Sequence, residues 1–364
     1  MTGPIIGWDI GGANIKAALV GRPGHAEAIV AERPFALWRE PHRLTDILIE
    51  TADRLGPAHA MAVTMTAELA DCFATKREGV GFVLDALERA FPSVDKSIYG
   101  VDGRFRSVEA ARQRPLRVAA ANWMASATLA ARTFPDALFV DVGSTTTDII
   151  PLAGGRVAAR GRSDPARLRS GELVYSGALR TPVSAIVRFV PLRGRRCRVA
   201  AEQFAVAADA HVWLGHIEER DYTCETPDGR GRSREEAAAR LARMVCADLE
   251  MLRPDDITVI AGTVARAQVR QIASGMRQVM RRLGVSASRE AVIVGHGAFL
   301  ARAAALEVGL AVREPAEQPD PRPAFAAPAS AVAWLLIDHL ARVSVAELAL
   351  LAGANGQPSP RPSC

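Results

Sequence analysis

Asp141 and the four consecutive hydroxyls of Ser144, Thr145, Thr146 and Thr147 lie on either side of Gly143. A carboxylate at the end of an apolar run, followed by a small turn rich in amides and hydroxyls, suits phosphate oxygens. The carboxylate can hold a Mg²⁺ that shares those oxygens. The stretch Phe139–Pro151, FVDVGSTTTDIIP, reads as a hairpin. Phe139, Val140 and Val142 form a buried strand, Gly143 allows the reversal, and Asp148, Ile149 and Ile150 lead out as a second strand. A Thr-rich β-turn with a locally satisfied Asp would read the same way.

The same pattern occurs earlier in the chain. Residues 8–19, WDIGGANIKAAL, align without a gap to residues 140–151, which places Asp9 on Asp141, Gly11 on Gly143 and Gly12 on Ser144. Ala13 then falls on Thr145, Asn14 on Thr146 and Lys16 on Asp148. Two copies of strand, Asp-x-Gly, polar turn and strand predict a duplicated α/β unit whose turns would face one another and clamp a polyphosphate. The candidate phosphate contacts are Gly11, Gly12, Ala13 and Asn14 in the first turn, and Gly143, Ser144, Thr145, Thr146 and Thr147 in the second. Asp9, Asp141 and Asp148 are the candidate metal ligands. Lysine occurs only at Lys16, Lys76 and Lys96 among 45 basic residues. The one in the first hairpin can reach a phosphate as a compact point charge.

Two further stretches are chemically dense. TMTAELADCF, residues 64–73, crowds Thr64, Thr66, Glu68 and Asp71 at the end of an expected strand Ala60–Met65, where open α/β sheets bind ligands. Helix capping by Thr66 with first-turn acids reads equally well. SGELVYSGALRTPV, residues 170–183, brings Glu172, Tyr175, Arg180 and Thr181 into a loop without clear period.

The elements that must position these groups are legible in outline. Helices are expected over Leu44–Leu55, Gly79–Phe91, Val118–Arg132, Glu202–Leu214, Arg234–Leu252, Val264–Leu283 and Ala329–Arg342. Strands are expected at Ser97–Val101, Arg156–Arg160, Val183–Pro191 and Cys197–Ala200. Asp221–Ser233 reads as a polar loop with glycine hinges, suited to a lid, an anion contact or simple solvation. At 364 residues and 49% hydrophobic content the chain can bury two cores. The expected division is 1–130, then 131–325 with the second hairpin, then a helix over 326–350 packing back on the core and a tail over 351–364. A net charge of +5 with 5% aromatic residues and no basic run with stacking partners argues against polynucleotide binding. Five cysteines without metal-ligand spacing fit a reducing, cytoplasmic setting. The mostly apolar stretch Val118 to Ala131 has 14 residues, too short to span a bilayer. A homo-oligomer is left open.

The paired hairpins resemble the two phosphate motifs of the actin, sugar-kinase and heat-shock-ATPase superfamily. Val292–Leu300, VIVGHGAFL, is similar to its third motif, which adds Gly295 and Gly297 to the phosphate contacts. The fold that the resemblance implies is α/β, two duplicated ribonuclease H-like (actin-like ATPase) subdomains around a central cleft. TMTAELAD, VDVGSTTTDIIP, ELVYSGALRTPV and TPDGRGRS narrow the resemblance, from Ile5 to about Leu340, to hydantoinase/oxoprolinase-related proteins of tetrahydromethanopterin-linked one-carbon metabolism. Within that group the chain is similar to the condensing enzymes of methanofuran and methylofuran biosynthesis. The implied reaction joins a furfuryl diphosphate, 5-(aminomethyl)-3-furanmethanol diphosphate, to the phenol oxygen of a tyramine or tyrosine derivative and releases diphosphate. The implied cofactor is Mg²⁺. Lys16 and Asp141 would assist the leaving group, and Glu68, Asp71 or Glu172 would take the phenol proton, with Glu68 ranked first. Asp71, Glu172, Tyr175 and Arg180 would contact substrate. One departure is His296, an imidazole where nucleotide-using relatives commonly carry consecutive glycines. An ATP-dependent enzyme of hydantoinase or kinase type is the alternative, and a non-catalytic nucleotide-gated clamp a third.

Overall fold

In the computed structural model, residues 3–21, 28–283, 289–313 and 327–354 are described, with side chains to residue 343. The chain divides into two compact units, one comprising Met1–Leu129 with the C-terminal segment from Ala327, the other Ala130–Ala326.

The first unit is built on β1 (Ile5–Ile10), β2 (Asn14–Val20), β3 (Ile29–Pro34), α1 (Leu44–Asp53), β4 (Ala60–Met65), α2 (Lys76–Ala90), β5 (Asp95–Tyr99), β6 (Phe105–Arg106), α3 (Val108–Gln113) and the first two turns of α4 (Asn122–Thr133), whose last residues belong to the second unit. Its sheet runs β3-β2-β1-β4-β5-β6. An antiparallel meander, β1 to β3, continues into β4 and β5, which run parallel to β1. The AMAVTM sequence of β4 is buried at every position, as a parallel strand covered on both faces requires. Thr75 caps α2 by accepting from the Glu78 amide at 3.1 Å, while the Glu78 carboxylate accepts from the Ala74 amide at 2.9 Å. The C-terminal helix, Pro328–Ala354, packs on β1, β2 and β4. A Cβ at Gly7 would lie 1.9 Å from the Ala329 carbonyl oxygen, so glycine is what lets that helix approach the strand.

The second unit contains β7 (Ala137–Val142), β8 (Thr147–Ala153), β9 (Arg156–Val157), α5 (Asp164–Ser170), β10 (Leu173–Val174), α6 (Val183–Ile186), β11 (Phe189–Leu192), β12 (Arg195–Arg198), α7 (Ala207–Leu214), α8 (Arg234–Arg243), α9 (Pro254–Leu283), β13 (Glu290–Val294), α10 (Ala298–Glu307) and β14 (Ala311–Arg313). Its main sheet runs β10-β8-β7-β13-β14, again a hairpin followed by two parallel strands. The likeness of the units extends to single residues. Every position from Ile5 to Val20 has the burial of its counterpart from Ala137 to Leu152.

Several boundaries differ from the sequence reading. Val183–Ile186 is one helical turn after Pro182, and the strand is confined to Phe189–Leu192. The helix from Arg234 stops at Arg243, and Cys246 adopts a left-handed φ of 55°. The helix after it begins at Pro254, ten residues before the expected start. Helix α4 begins at Asn122, because Ala119 bridges to Met65 and Ala120 has a φ of 50°. Of the expected tail over 351–364, residues 355–364 lie outside the described residues, as do residues 314–326. No helix among the described residues is long and apolar enough to cross a membrane.

Candidate functional site: two equivalent turns with masked carbonyls

In the first unit Asp9 pairs with Lys16 and Ile10 with Ile15, which leaves Gly11–Asn14 as the turn. The Gly11 amide donates to the Asn14 carbonyl at 3.0 Å. A Cβ at Gly11 would come within 2.7 Å of that oxygen, so this position demands glycine. The carbonyls of Gly12 and Ala13 accept from the amides of Leu37 (2.9 Å) and Phe35 (3.0 Å). Strand β4 runs beside β1, with Thr64 next to Asp9, and the Thr66 amide donates to the Ile10 carbonyl at 2.9 Å. The segment after β4 is thereby held against the turn. Glu68 is buried there, 3.3 Å from Lys76 Nζ, and Gly79 admits its backbone, since a Cβ would meet it at 2.5 Å. Half-buried Lys16 lies 3.4 Å from Glu32.

The second unit repeats the arrangement. Asp141 pairs with Asp148 and Val142 with Thr147, and the Gly143 amide donates to the Thr146 carbonyl at 2.9 Å. The Gly143 carbonyl accepts from Ala178 N–H (2.9 Å), and the Ser144 carbonyl from Leu179 (3.0 Å) and Arg180 (2.9 Å). In each unit, then, the turn carbonyls are engaged by a neighbouring segment. The amides of Gly12, Ala13, Ser144 and Thr145 donate to no backbone carbonyl among the described residues. A turn with masked acceptors and uncommitted donors is electropositive without carrying a formal charge. Gly295, with a φ of 92°, crosses directly over Asp141: a Cβ there would be 2.3 Å from its Oδ1. Gly297 donates to the Val142 carbonyl at 2.8 Å. Asp141, the second turn, residues 176–180 and the Gly295-His296-Gly297 turn therefore form one cluster. His296 is exposed on it.

Four expected site residues are engaged elsewhere. Glu172, expected at substrate, is fully buried and accepts from the amides of Arg160 and Gly161 at 2.7 Å and from Arg282 at 2.5 Å. It is a staple of the fold. Asp148, expected at metal, is ion-paired at 2.5 Å with Arg167, whose side chain is buried. Thr147 is buried and its hydroxyl donates to the Ser176 carbonyl at 2.7 Å. The amide of Gly297 is used by Val142. Tyr175 and Asp71 are exposed, and Arg180 is half-buried beside the turn. The loop 221–233 is pinned in place: Asp228 accepts from Arg240 (3.1 Å) and Arg243 (3.2 Å), and Arg240 also donates to the Gly231 carbonyl at 3.0 Å. Burial pushes the Asp228 carboxyl up, but the Arg230 amide and the Arg240 and Arg243 charges outweigh it and leave its pKa below the usual range.

Sequence reasoning missed Lys76, Gly177 and Gln268. Lys76 had a signal, being one of three lysines. Gln268 interrupts an apolar stripe, Val264, Gln268 and Ile272, at helical spacing. Gly177 had none, because its constraint comes from the Thr145 backbone, 2.5 Å from where its Cβ would stand.

A hard cation fits this donor set in one way. Among the described residues no group of three or more His, Cys, Asp or Glu side chains could hold a metal, so an all-protein cage is ruled out for them. Asp9 and Asp141 are half-buried, each at the equivalent strand end of its own unit, and Gly295 leaves Asp141 room. A single carboxylate of this kind suits Mg²⁺, which is typically bound by one or two carboxylates plus substrate phosphates and water.

Known proteins bear out the architecture. Acetone carboxylase, in a nucleotide-free structure, superposes with a TM-score of 0.53 at 10% identity, covering 92% of this chain and 70% of that one. The fold is that of the actin-like ATPases, with two ribonuclease H-like units. A (4-{4-[2-(gamma-L-glutamylamino)ethyl]phenoxymethyl}furan-2-yl)methanamine synthase of Methanocaldococcus jannaschii is 37% identical over 294 residues, 80% of this chain and 86% of that protein. A synthase of the same name from Methanococcus vannielii is 34% identical over 160 residues, 44% of this chain and 70% of its own. The hydantoinase/oxoprolinase family model matches residues 59–339, and with these relatives it establishes that the chain belongs to the hydantoinase/oxoprolinase family.

Proposed function

We propose that this protein is an aryl ether-forming synthase. It transfers a furfuryl group from 5-(aminomethyl)-3-furanmethanol diphosphate to the phenol oxygen of a tyramine derivative and releases diphosphate, in methanofuran-type cofactor synthesis. The observation that carries the reading is the 37% identity over 80% of the chain to a synthase whose name describes a phenoxymethyl-furan product. The gamma-L-glutamylamino group in that name points to a γ-glutamylated tyramine as the acceptor here.

The chemistry suits the residues. The bond that breaks joins the furan CH₂ to a diphosphate oxygen, and the electron pair leaves with the diphosphate. The bond that forms joins the CH₂ to the phenol oxygen, whose proton must be accepted. An electron-rich furan stabilises positive charge on the CH₂, so the main demand is neutralising the leaving group. The amides of Gly12 and Ala13 with the Lys16 ammonium in the first unit, and the amides of Ser144 and Thr145 in the second, are the proposed phosphate contacts. Asp9 or Asp141 would hold Mg²⁺, which supplies Lewis-acid stabilisation of phosphate oxygens when bound. A phenol with a pKa of about 10 needs a base at neutral pH. Glu68 is proposed for that role, since Glu172 is committed to the fold and Asp71 is exposed. The exposed His296 stands where a flat surface for adenine would be expected, which favours an organic diphosphate over ATP.

The test is incubation with the furfuryl diphosphate, Mg²⁺ and γ-glutamyltyramine, with mass spectrometry of the product and a coupled assay for diphosphate. Ether product and diphosphate should appear in equal amounts without ATP. ATP hydrolysis obligatorily coupled to product would replace this reading with the ATP-dependent one.

A further inference from the structure

Gln268 is fully buried in the apolar stripe of α9, where an amide is costly unless its donors and acceptors are all used. Its Nε2 donates to the Gly177 carbonyl at 2.9 Å and to Ser176 Oγ at 3.1 Å. Because a carbonyl accepts only, this fixes which end of the amide is nitrogen. Gln268 Oε1 therefore accepts from His211 Nε2, 2.8 Å away. The tautomer of His211 follows. With its proton on Nε2, its Nδ1 is an acceptor, and His216 Nδ1, at 3.1 Å, must be the donor. His211 is itself fully buried, and burial, aided by His216 and opposed by Gln268, pulls its pKa down to about 4. It stays neutral, so its Nδ1 remains an acceptor for His216 while its Nε2 donates to Gln268.

The far end of this chain is the segment that masks the second turn. Ser176 accepts the Thr147 hydroxyl through its carbonyl, Gly177 abuts the Thr145 backbone, and the Gly177 amide donates to Thr181 Oγ1 at 2.9 Å. The next three amides, of Ala178, Leu179 and Arg180, cover the carbonyls of Gly143 and Ser144. An apolar side chain at position 268 would fill the same core but take this partner from the Gly177 carbonyl, Ser176 Oγ and His211 Nε2. The amide instead ties the covering segment to the longest helix of the unit. We propose that Gln268, oriented by His211, is a positioning residue for the second turn: it holds residues 176–180 against Gly143–Thr147 and so sets the placement of the amides that bind the leaving diphosphate. The last clause rests on the proposed function; the clamp itself does not.

The test uses the full chain and two readouts, amide hydrogen exchange and calorimetric titration with inorganic diphosphate and Mg²⁺. In Gln268→Met, exchange at Ala178, Leu179 and Arg180 should rise about tenfold, as expected for losing one or two net hydrogen bonds, while β7 stays protected. Affinity for diphosphate should fall about tenfold, and kcat should fall with the KM of the phenol unchanged. His211→Leu should reproduce this. His211→Gln, which retains a donor toward Oε1, should restore protection and affinity. The histidine pair of variants decides the matter should Gln268→Met fail to fold. Unchanged exchange in Gln268→Met, or His211→Gln behaving like His211→Leu, would overturn the clamp. Absence of diphosphate binding by the parent would instead sink the proposed function, with the exchange data still deciding the clamp.

Discussion

At the scale of residues, the two strand-end aspartates share one environment, yet the residues opposite them do not. Lys16 faces Asp9 as a half-buried cation, whereas its counterpart Asp148 is taken up by Arg167. The proposed chemistry therefore asks different things of the two hairpins. We expect Lys16→Ala and Asp141→Asn to fold normally and to lose about 100-fold in kcat, on the order of 3 kcal/mol of transition-state stabilisation. Diphosphate release within threefold of the parent in both variants would refute their roles. Glu172→Gln should do the reverse, costing about 3 kcal/mol of stability through its broken buried contacts. A urea midpoint equal to the parent's would show that the carboxylate is not a staple. The candidate acids were readable as acids, but their occupations were not. Arg282, which engages Glu172, is 110 positions away along the chain, and no local pattern reports such a partner.

At the scale of elements, the two hairpins were legible to the residue because a duplicated pattern checks itself. The Asp-x-Gly spacing fixes a register, and the equal burial of Ile5–Val20 and Ala137–Leu152 follows from it. The segments that mask the turn carbonyls were less legible. Residues 35–37 and 178–180 act through backbone amides, which every residue but proline owns. Helix ends failed where the chain carries no breaker. Between Arg243 and Pro254 there is neither glycine nor proline to announce the left-handed φ of 55° at Cys246. The masking segments can be tested by adding one methyl group. Gly177→Ala should drive a Cβ into the Thr145 backbone and lower kcat about 100-fold through a displaced turn. Gly81→Ala, inside α2 with nothing within 4 Å, should leave kcat alone and raise stability by about 0.5 kcal/mol. Equal kcat in the two variants would contradict the requirement for glycine at 177.

At the scale of the whole molecule, stability should depend on pH through His211. Its folded-state pKa of about 4 lies below the ordinary 6.5, so the folded state binds fewer protons than the unfolded chain between these values. Stability is then complete above 6.5 and declines as pH falls toward 4, by about 3 kcal/mol in all. Melting curves from about pH 7.5 to about pH 4.5 should show this decline, and His211→Gln should flatten it; an equally steep loss in the variant would assign the effect to other groups. The first unit is also closed from two distant stretches of the chain. Strand β1 is synthesised long before the helix that covers it, with Ala329 against Gly7. At ribosomal rates of about 5–20 residues per second, roughly 15–60 s separate the two. During that interval the first sheet stands with one face bare, while residues 130–326 already contain everything their own core needs. The second unit should therefore mature first although it is encoded later, and the nascent first sheet should be the part that chaperones must shelter. A chain ended at Arg313 should show native protection in β7, β13 and α9 and none in β1; protection of β1 in that truncation would mean the sheet closes without its last helix.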